Sequence, residues 1–129
     1  MNHLMPEENA LKLTLVLGAT ENPERYAYKA IRQLRACHIQ VIAVGRKEGR
    51  VGDVPVLTAI PKGVTVNTVT IYLSSKNQEN WQQTILELKP ERLIFNPGAE
   101  NESFATQARQ AGIKTEQACT LVLLATGAY

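Results

Sequence analysis

Apolar positions along this chain fall into two rhythms, short unbroken runs and recurrences every three to four residues, and the two alternate from one end to the other. Unbroken runs suit strands covered on both faces, and helical recurrences suit the crossovers between them, so the alternation predicts βαβ units around a parallel sheet. Leu11 to Leu17 (LKLTLVL) reads as the first strand, ended by Gly18. Ala27, Ala30, Ile31 and Leu34 then share one narrow helix face, with Lys29, Arg32 and Arg35 elsewhere on the turn. Ile39 to Val44 is the second strand. The stretch from Gly45 to Val66 is the least regular, with turn signals at Gly49, Gly52, Pro55, Pro61 and Gly63 and a short strand around Val56 and Leu57.

Val66 to Leu73 reads as the next strand, and Ser75 stands three residues before Gln78 as a capping box opening a helix whose Trp81, Ile85 and Leu88 share a face. Lys89-Pro90 stops that helix, Arg92 to Phe95 is a further strand, and Phe104, Ala108 and Ala111 mark the stripe of a helix ended by Gly112. Ile113 to Glu116 is expected as a last short strand. The tail from Cys119 to Tyr129 is apolar enough to be a strand or a short helix, and in either form it must pack.

Nothing in composition divides this pattern. At 129 residues, without repeat, low-complexity segment or linker, the chain is expected to be one α/β domain over residues 11–129, preceded by a flexible segment over 1–10. That first segment is polar and acidic and lacks the layout of a secretion signal, so a cytoplasmic protein is expected, and no run is long and apolar enough for a membrane helix. Two cysteines, Cys37 and Cys119, suit buried thiols of a reducing compartment better than a disulfide. A net charge of +2 and an aromatic share of 5% argue against a nucleic-acid partner. Tyr26, Trp81 and Tyr129 are candidates for a contact surface in a homo-oligomer.

In an open parallel sheet, ligands bind at the strands' C-terminal edge where the strand order reverses, so chemistry is sought in the loops on that edge. The first, Gly18-Ala19-Thr20-Glu21-Asn22-Pro23-Glu24-Arg25, has small residues that admit a ligand close to the backbone, and a helix start beyond it favours phosphate. Asn22-Pro23 equally resembles an ordinary N-cap followed by Pro at N1. Neither G-x-G-x-x-G nor a Walker A sequence is present, which disfavours a standard dinucleotide site or a nucleoside triphosphatase. After the second strand, Gly45-Arg46-Lys47 stands where an NAD site usually has an acid, and its cations suit a phosphate on the ribose, as in coenzyme A or NADP, or simply a solvated turn. Ser74-Ser75-Lys76-Asn77 and Asn96-Pro97-Gly98-Ala99-Glu100-Asn101 offer hydroxyls and amides that serve either a ligand or local turn chemistry.

Gly18-Ala19-Thr20, then Pro23, Arg25 and Tyr28, reproduce a G-A-S/T-x-x-P-x-R-x-x-Y pattern. Through it the chain resembles the small CoA-binding domain proteins, which are similar to the CoA-binding domain of succinyl-CoA synthetase. Further matches follow in order: Val41 to Val44, Leu57 with Ile60-Pro61, Gly98 with Asn101-Glu102, Ala111-Gly112 and Cys119. The resemblance implies a Rossmann-like three-layer fold, a mostly parallel sheet of five or six strands flanked by helices. It also implies that coenzyme A lies with its diphosphate at the first loop and its adenosine toward the second. The loop reading and the resemblance together make the expected contacts Gly18, Ala19, Thr20, Asn22, Pro23, Arg25, Tyr28, Gly45, Arg46, Lys47, Ile60, Ser74, Asn96 and Gly98. The chain departs from the family pattern at Gly45-Arg46, where many members have Asn-Pro, and at Leu73-Ser74-Ser75, where an Arg is frequent. Asn96 stands where Gln is common.

His3 and His38 have no visible partner for catalysis, and no metal-ligand cluster or nucleophile–base set is spaced for chemistry, so a stand-alone, non-catalytic binder of CoA or acyl-CoA, a carrier or sensor, is expected. The alternatives are an NADP-binding Rossmann domain and an accessory subunit of an acyl-CoA synthetase-type enzyme. Cys119, near the end of the last strand, is either an inert buried thiol or one able to form a mixed disulfide with CoA.

Overall fold

The computed structural model describes residues 12–129, so the segment 1–10 and Leu11 lie outside the described residues. Among the described residues seven strands form one sheet, where five or six were expected: β1 (Thr14–Leu17), β2 (Val41–Val44), β3 (Gly49–Val51), β4 (Val54–Leu57), β5 (Thr68–Ile71), β6 (Arg92–Phe95) and β7 (Lys114–Gln117). Four α-helices are described, α1 (Tyr26–Ala36), α2 (Gln82–Leu88), α3 (Glu102–Gln110) and α4 (Thr120–Ala125), with a 3₁₀ turn at Lys76–Gln78.

The sheet order is β3-β4-β2-β1-β5-β6-β7, parallel throughout except where β3 pairs antiparallel with β4. With the β3 flap set aside, the parallel strands run third, second, first, fourth, fifth, sixth, which is the Rossmann order and places the reversal between β1 and β5. β1 is central: Leu15 lies beside Ile42 on one side and Val69 on the other. All four of its residues are buried, which is why Leu15, Val16 and Leu17 follow one another without polar alternation.

Two cores cover the two faces. On one, Leu15, Leu17, Val69, Ile71, Leu93 and Phe95 meet Ile85 of α2 and Phe104, Ala105 and Ala108 of α3, with the rings of Phe95 and Phe104 edge to face at 5.8 Å. On the other, Val16, Ala43, Val56 and Ile94 meet Ala27, Ile31 and Leu34 of α1 and Leu124 of α4. Fully burying a leucine or isoleucine contributes ~2 kcal/mol, so these stripes, more than helix propensity, hold short helices such as α2 in place.

Several expectations need correction. The irregular stretch after β2 contains a β-hairpin, β3–β4, turning at Gly52-Asp53. No capping box forms at Ser75, which has helical backbone angles and no capping hydrogen bond; a 3₁₀ turn intervenes and α2 starts seven residues later. The buried stripe of α3 is Phe104, Ala105 and Ala108, while Ala111 is exposed at the C-cap, with Gly112 following at φ 85°. The tail is helix α4, and Tyr129, expected at a contact surface, is 5% exposed inside its own fold.

Candidate ligand site at the C-terminal edge of the sheet

The first loop leaves β1 at the reversal point and bends sharply. Gly18 takes φ 94°, and a Cβ there would stand 3.0 Å from the Tyr72 carbonyl carbon after β5. Glycine is needed both for the turn and for the close passage of the two chains. Backbone N–H groups of Gly18 and Ala19 both donate to Val44 O, folding the loop over the end of β2. Beyond it, Thr20 Oγ1 accepts from Asn22 N–H at 3.2 Å and Asn22 Oδ1 from Glu24 N–H at 3.0 Å, so the polar side chains of the loop shape its own backbone.

Asn22 therefore caps a turn over Pro23 and Glu24, not the helix. The N-cap of α1 is Arg25, extended at φ −87°, and no side chain caps that end. An eleven-residue helix thus presents its first turn uncapped, with the partial positive charge of its dipole, beside a loop of small side chains at the reversal point. Arg25 is exposed next to it, and Tyr28 is half-buried against the α1 core.

The second loop begins at Gly45, which is buried and donates to Leu57 O at 2.8 Å. Arg46 and Lys47 are exposed beyond it. The hairpin is fastened back to the first loop: Glu21 Oε2 accepts from the backbone N–H of Arg50 at 3.1 Å. Sequence reasoning had no signal for this contact, which joins positions 29 residues apart.

The third and fourth loops are locked together by a residue the sequence reading assigned to a cap. Gln78 is fully buried; its Nε2 donates to Leu73 O at 2.9 Å and to Ala99 O at 2.7 Å, and its Oε1 accepts from Asn101 Nδ2. Asn101 in turn caps α3, its Oδ1 accepting from Phe104 N–H. Ser74 and Gly98 are exposed on these loops, and Ile60 is half-buried against the α2–α3 core.

Asn96, expected to touch ligand, is directed inward. At 1% exposure it donates to Thr70 Oγ1 and Ile71 O and accepts from Thr120 N–H, so it acts as the cap of α4 from another strand. Its hydrogen-bonding capacity is taken up by these partners. Close by, the Tyr72 hydroxyl is buried beside Thr70 and Thr120 without a hydrogen bond of normal geometry, and burial pushes its pKa well up. Cys119, at the N-cap of α4 on the same edge, is half-buried.

The structure thus brings Gly18, Ala19 and Gly45 together at the ends of β1 and β2, runs Thr20, Asn22, Pro23 and Arg25 from there to the start of α1, and leaves Arg46 and Lys47 on the adjoining exposed turn. Two surface hollows lie away from this loop. One of about 290 Å³, between Arg32, Arg35 and the Gly52-Asp53 turn, and one of about 390 Å³, by Leu13, Gln40, Val41 and Pro55, lie at the opposite edge of the sheet. Between them Arg35 holds Asp53 at 2.8 Å; this partner keeps the Asp53 carboxyl below its usual range. His38 is exposed after α1, also at that far edge, and His3 lies outside the described residues.

Rossmann topology, a reversal-point loop of small residues and an open helix start define a Rossmann-like class of α/β domain. Within that class, residues 12–125 match the family described as CoA binding domain, and the chain belongs to that family. A solved structure described only as that of an uncharacterized protein is similar at 42% identity, with TM-score 0.88 over 92% of this chain and 98% of that one. The cell-free ID.343 protein from Thermus thermophilus shares the fold at 19% identity and TM-score 0.80, over 98% of this chain and 100% of its own. A hypothetical protein from Pyrococcus horikoshii OT3 does so at 18% identity and TM-score 0.74, over 94% and 91%. No protein with a curated description matches. Among the described residues no helix is long and apolar enough to cross a membrane.

Proposed function

We propose that this chain binds coenzyme A or an acyl-CoA as a stand-alone, non-catalytic module, a carrier or sensor. The observation that carries the reading is the uncapped start of α1 behind Gly18-Ala19-Thr20 at the reversal point, in a chain of the CoA binding domain family. Main-chain N–H groups there are free of side-chain caps and aligned with the helix dipole, the arrangement a diphosphate selects. Arg25 supplies a guanidinium able to grip two phosphate oxygens at once. Arg46 and Lys47, one loop further toward the hairpin, suit the ribose 3′-phosphate of CoA.

A binder is favoured over an enzyme because, among the described residues at this edge, no base is poised on a nucleophile. Exposed Arg25 and the small loop would bind the anion without changing it.

Thermal unfolding with and without ligand tests this. CoA at about a hundredfold excess over its Kd is expected to stabilise the protein by ~2.7 kcal/mol, and Arg25→Ala to remove most of the gain. A flat response to CoA beside a clear rise with NADP overturns the ligand assignment.

A further inference from the structure

Glu21 belongs to the first loop but makes its contact outside it. Its carboxylate reaches the start of β3, where Oε2 accepts the Arg50 N–H at 3.1 Å. A second observation concerns the residue before Arg50. A Cβ built on Gly49 would stand 2.5 Å from Glu21 Oε2 and 2.8 Å from its Cδ. The φ of Gly49 is not in the left-handed region, so backbone conformation does not demand glycine there. What the missing side chain provides is room for the carboxylate. The two residues are complementary: one reaches across, the other is hollowed to receive it.

The clasp has a consequence for the loop it secures. Gly18 and Ala19 are tied to Val44 O at the near end, and Thr20 and Asn22 only to neighbours within the loop. Glu21 is the loop's side-chain tie to the hairpin, between the small residues and the start of α1. A loop fastened at both ends loses less freedom when a ligand orders it, and that saving appears as affinity.

We infer that Glu21 is a positioning residue, which holds the phosphate-binding loop in its binding-competent shape by clasping the β3–β4 hairpin at Gly49-Arg50. This rests on the reading of the first loop as the diphosphate site. The carboxylate carries charge of the wrong sign for an anionic ligand, so its place in this loop makes sense through the anchor and not through direct contact.

Amide and carboxylate differ usefully here, since a glutamine side chain still accepts the Arg50 N–H while lacking the charge. Glu21→Gln is expected to bind CoA as well as or better than wild type, whereas Glu21→Ala weakens it roughly three- to tenfold, the worth of one organising hydrogen bond. Gly49→Ala, which displaces the carboxylate, is expected to weaken binding similarly in the wild-type background and to add nothing in Glu21→Ala. Hydrogen exchange at the Arg50 amide, read without ligand, should quicken in both alanine variants and not in Glu21→Gln.

If Glu21→Ala and Glu21→Gln both tighten binding, the residue acts by charge repulsion and the positioning role is overturned. Additive effects of Gly49→Ala and Glu21→Ala, or unchanged Arg50 exchange, overturn the clasp. Failure of the wild type itself to bind CoA rejects the reading of the site, and the ligand-free exchange still judges the clasp.

Discussion

The carbonyl oxygen of Ala19 stands where a side chain at position 45 would begin: a Cβ on Gly45 would lie 2.1 Å from it. The two loops that flank the proposed nucleotide site are therefore in backbone contact at this position. Glycine at 45 lets the first loop lie flat over the end of β2, with both Gly18 and Ala19 donating to Val44 O.

Gly45→Ala cannot be accommodated by a side-chain rotation, because the obstacle is backbone. The first loop must lift, at a cost of about 2 kcal/mol, which for a domain of this size lowers Tm by roughly 5–10 °C. CoA binding should fall by more than the stability loss explains. Calorimetry paired with ligand titration checks both, and an unchanged Tm refutes the contact.

The second loop has a sharper test. If Arg46 and Lys47 take the ribose phosphate, Arg46→Ala with Lys47→Ala should bind CoA only as tightly as wild type binds 3′-dephospho-CoA, and should no longer distinguish the two. Undiminished discrimination in the double variant removes this loop from the site.

Asn96 makes its contribution inside the fold. Asn96→Ala strands Thr120 N–H among buried neighbours and removes the side-chain amide from Thr70 Oγ1 and Ile71 O, and a loss of about 3 kcal/mol in urea unfolding is expected. CoA affinity of the folded fraction should change little. A large affinity loss at unchanged stability would return Asn96 to the ligand.

Two tyrosines couple stability to alkaline pH. Burial is the largest cause raising the pKa of both Tyr72 and Tyr129. For an acid whose folded pKa lies above its unfolded value, near 10, the stabilisation is complete below that unfolded value and is lost as pH rises through the folded one. Tm should therefore decline from about pH 10 upward, and less steeply in Tyr72→Phe or Tyr129→Phe. At neutral pH the two differ. Tyr129 shares a hydrogen bond with Thr14, so its loss costs ~1 kcal/mol, while the Tyr72 hydroxyl has no such partner and its removal is near neutral. Equal effects of the two substitutions at pH 7 would contradict this difference.

Much of the fold could be read from residue order. Arg92 to Phe95 is a strand at the predicted limits, and Ala27, Ala30, Ile31 and Leu34 are the buried face of α1, because local apolar spacing dictates which side of an element must leave water. The hairpin escaped notice because β3 is three residues long, with glycine at its start and an exposed arginine at its centre, too short for period two to register. Ser75 and Gln78 have the spacing of a capping box, yet the Gln78 amide goes to the carbonyls of nearby Leu73 and of Ala99, 21 residues on. Asn96 was drawn inward by Thr70, Ile71 and Thr120 in the same way.

By itself the sequence determined the alternation of strands and helices, the small-residue loop after β1 and the cations after β2, since each depends on side chains near one another in the chain. Tertiary structure alone decided which polar groups remain available at that edge. Hydrogen bonds reach only about 3 Å, so the partners of Glu21, Gln78 and Asn96 became definite only when strands remote in sequence were brought side by side.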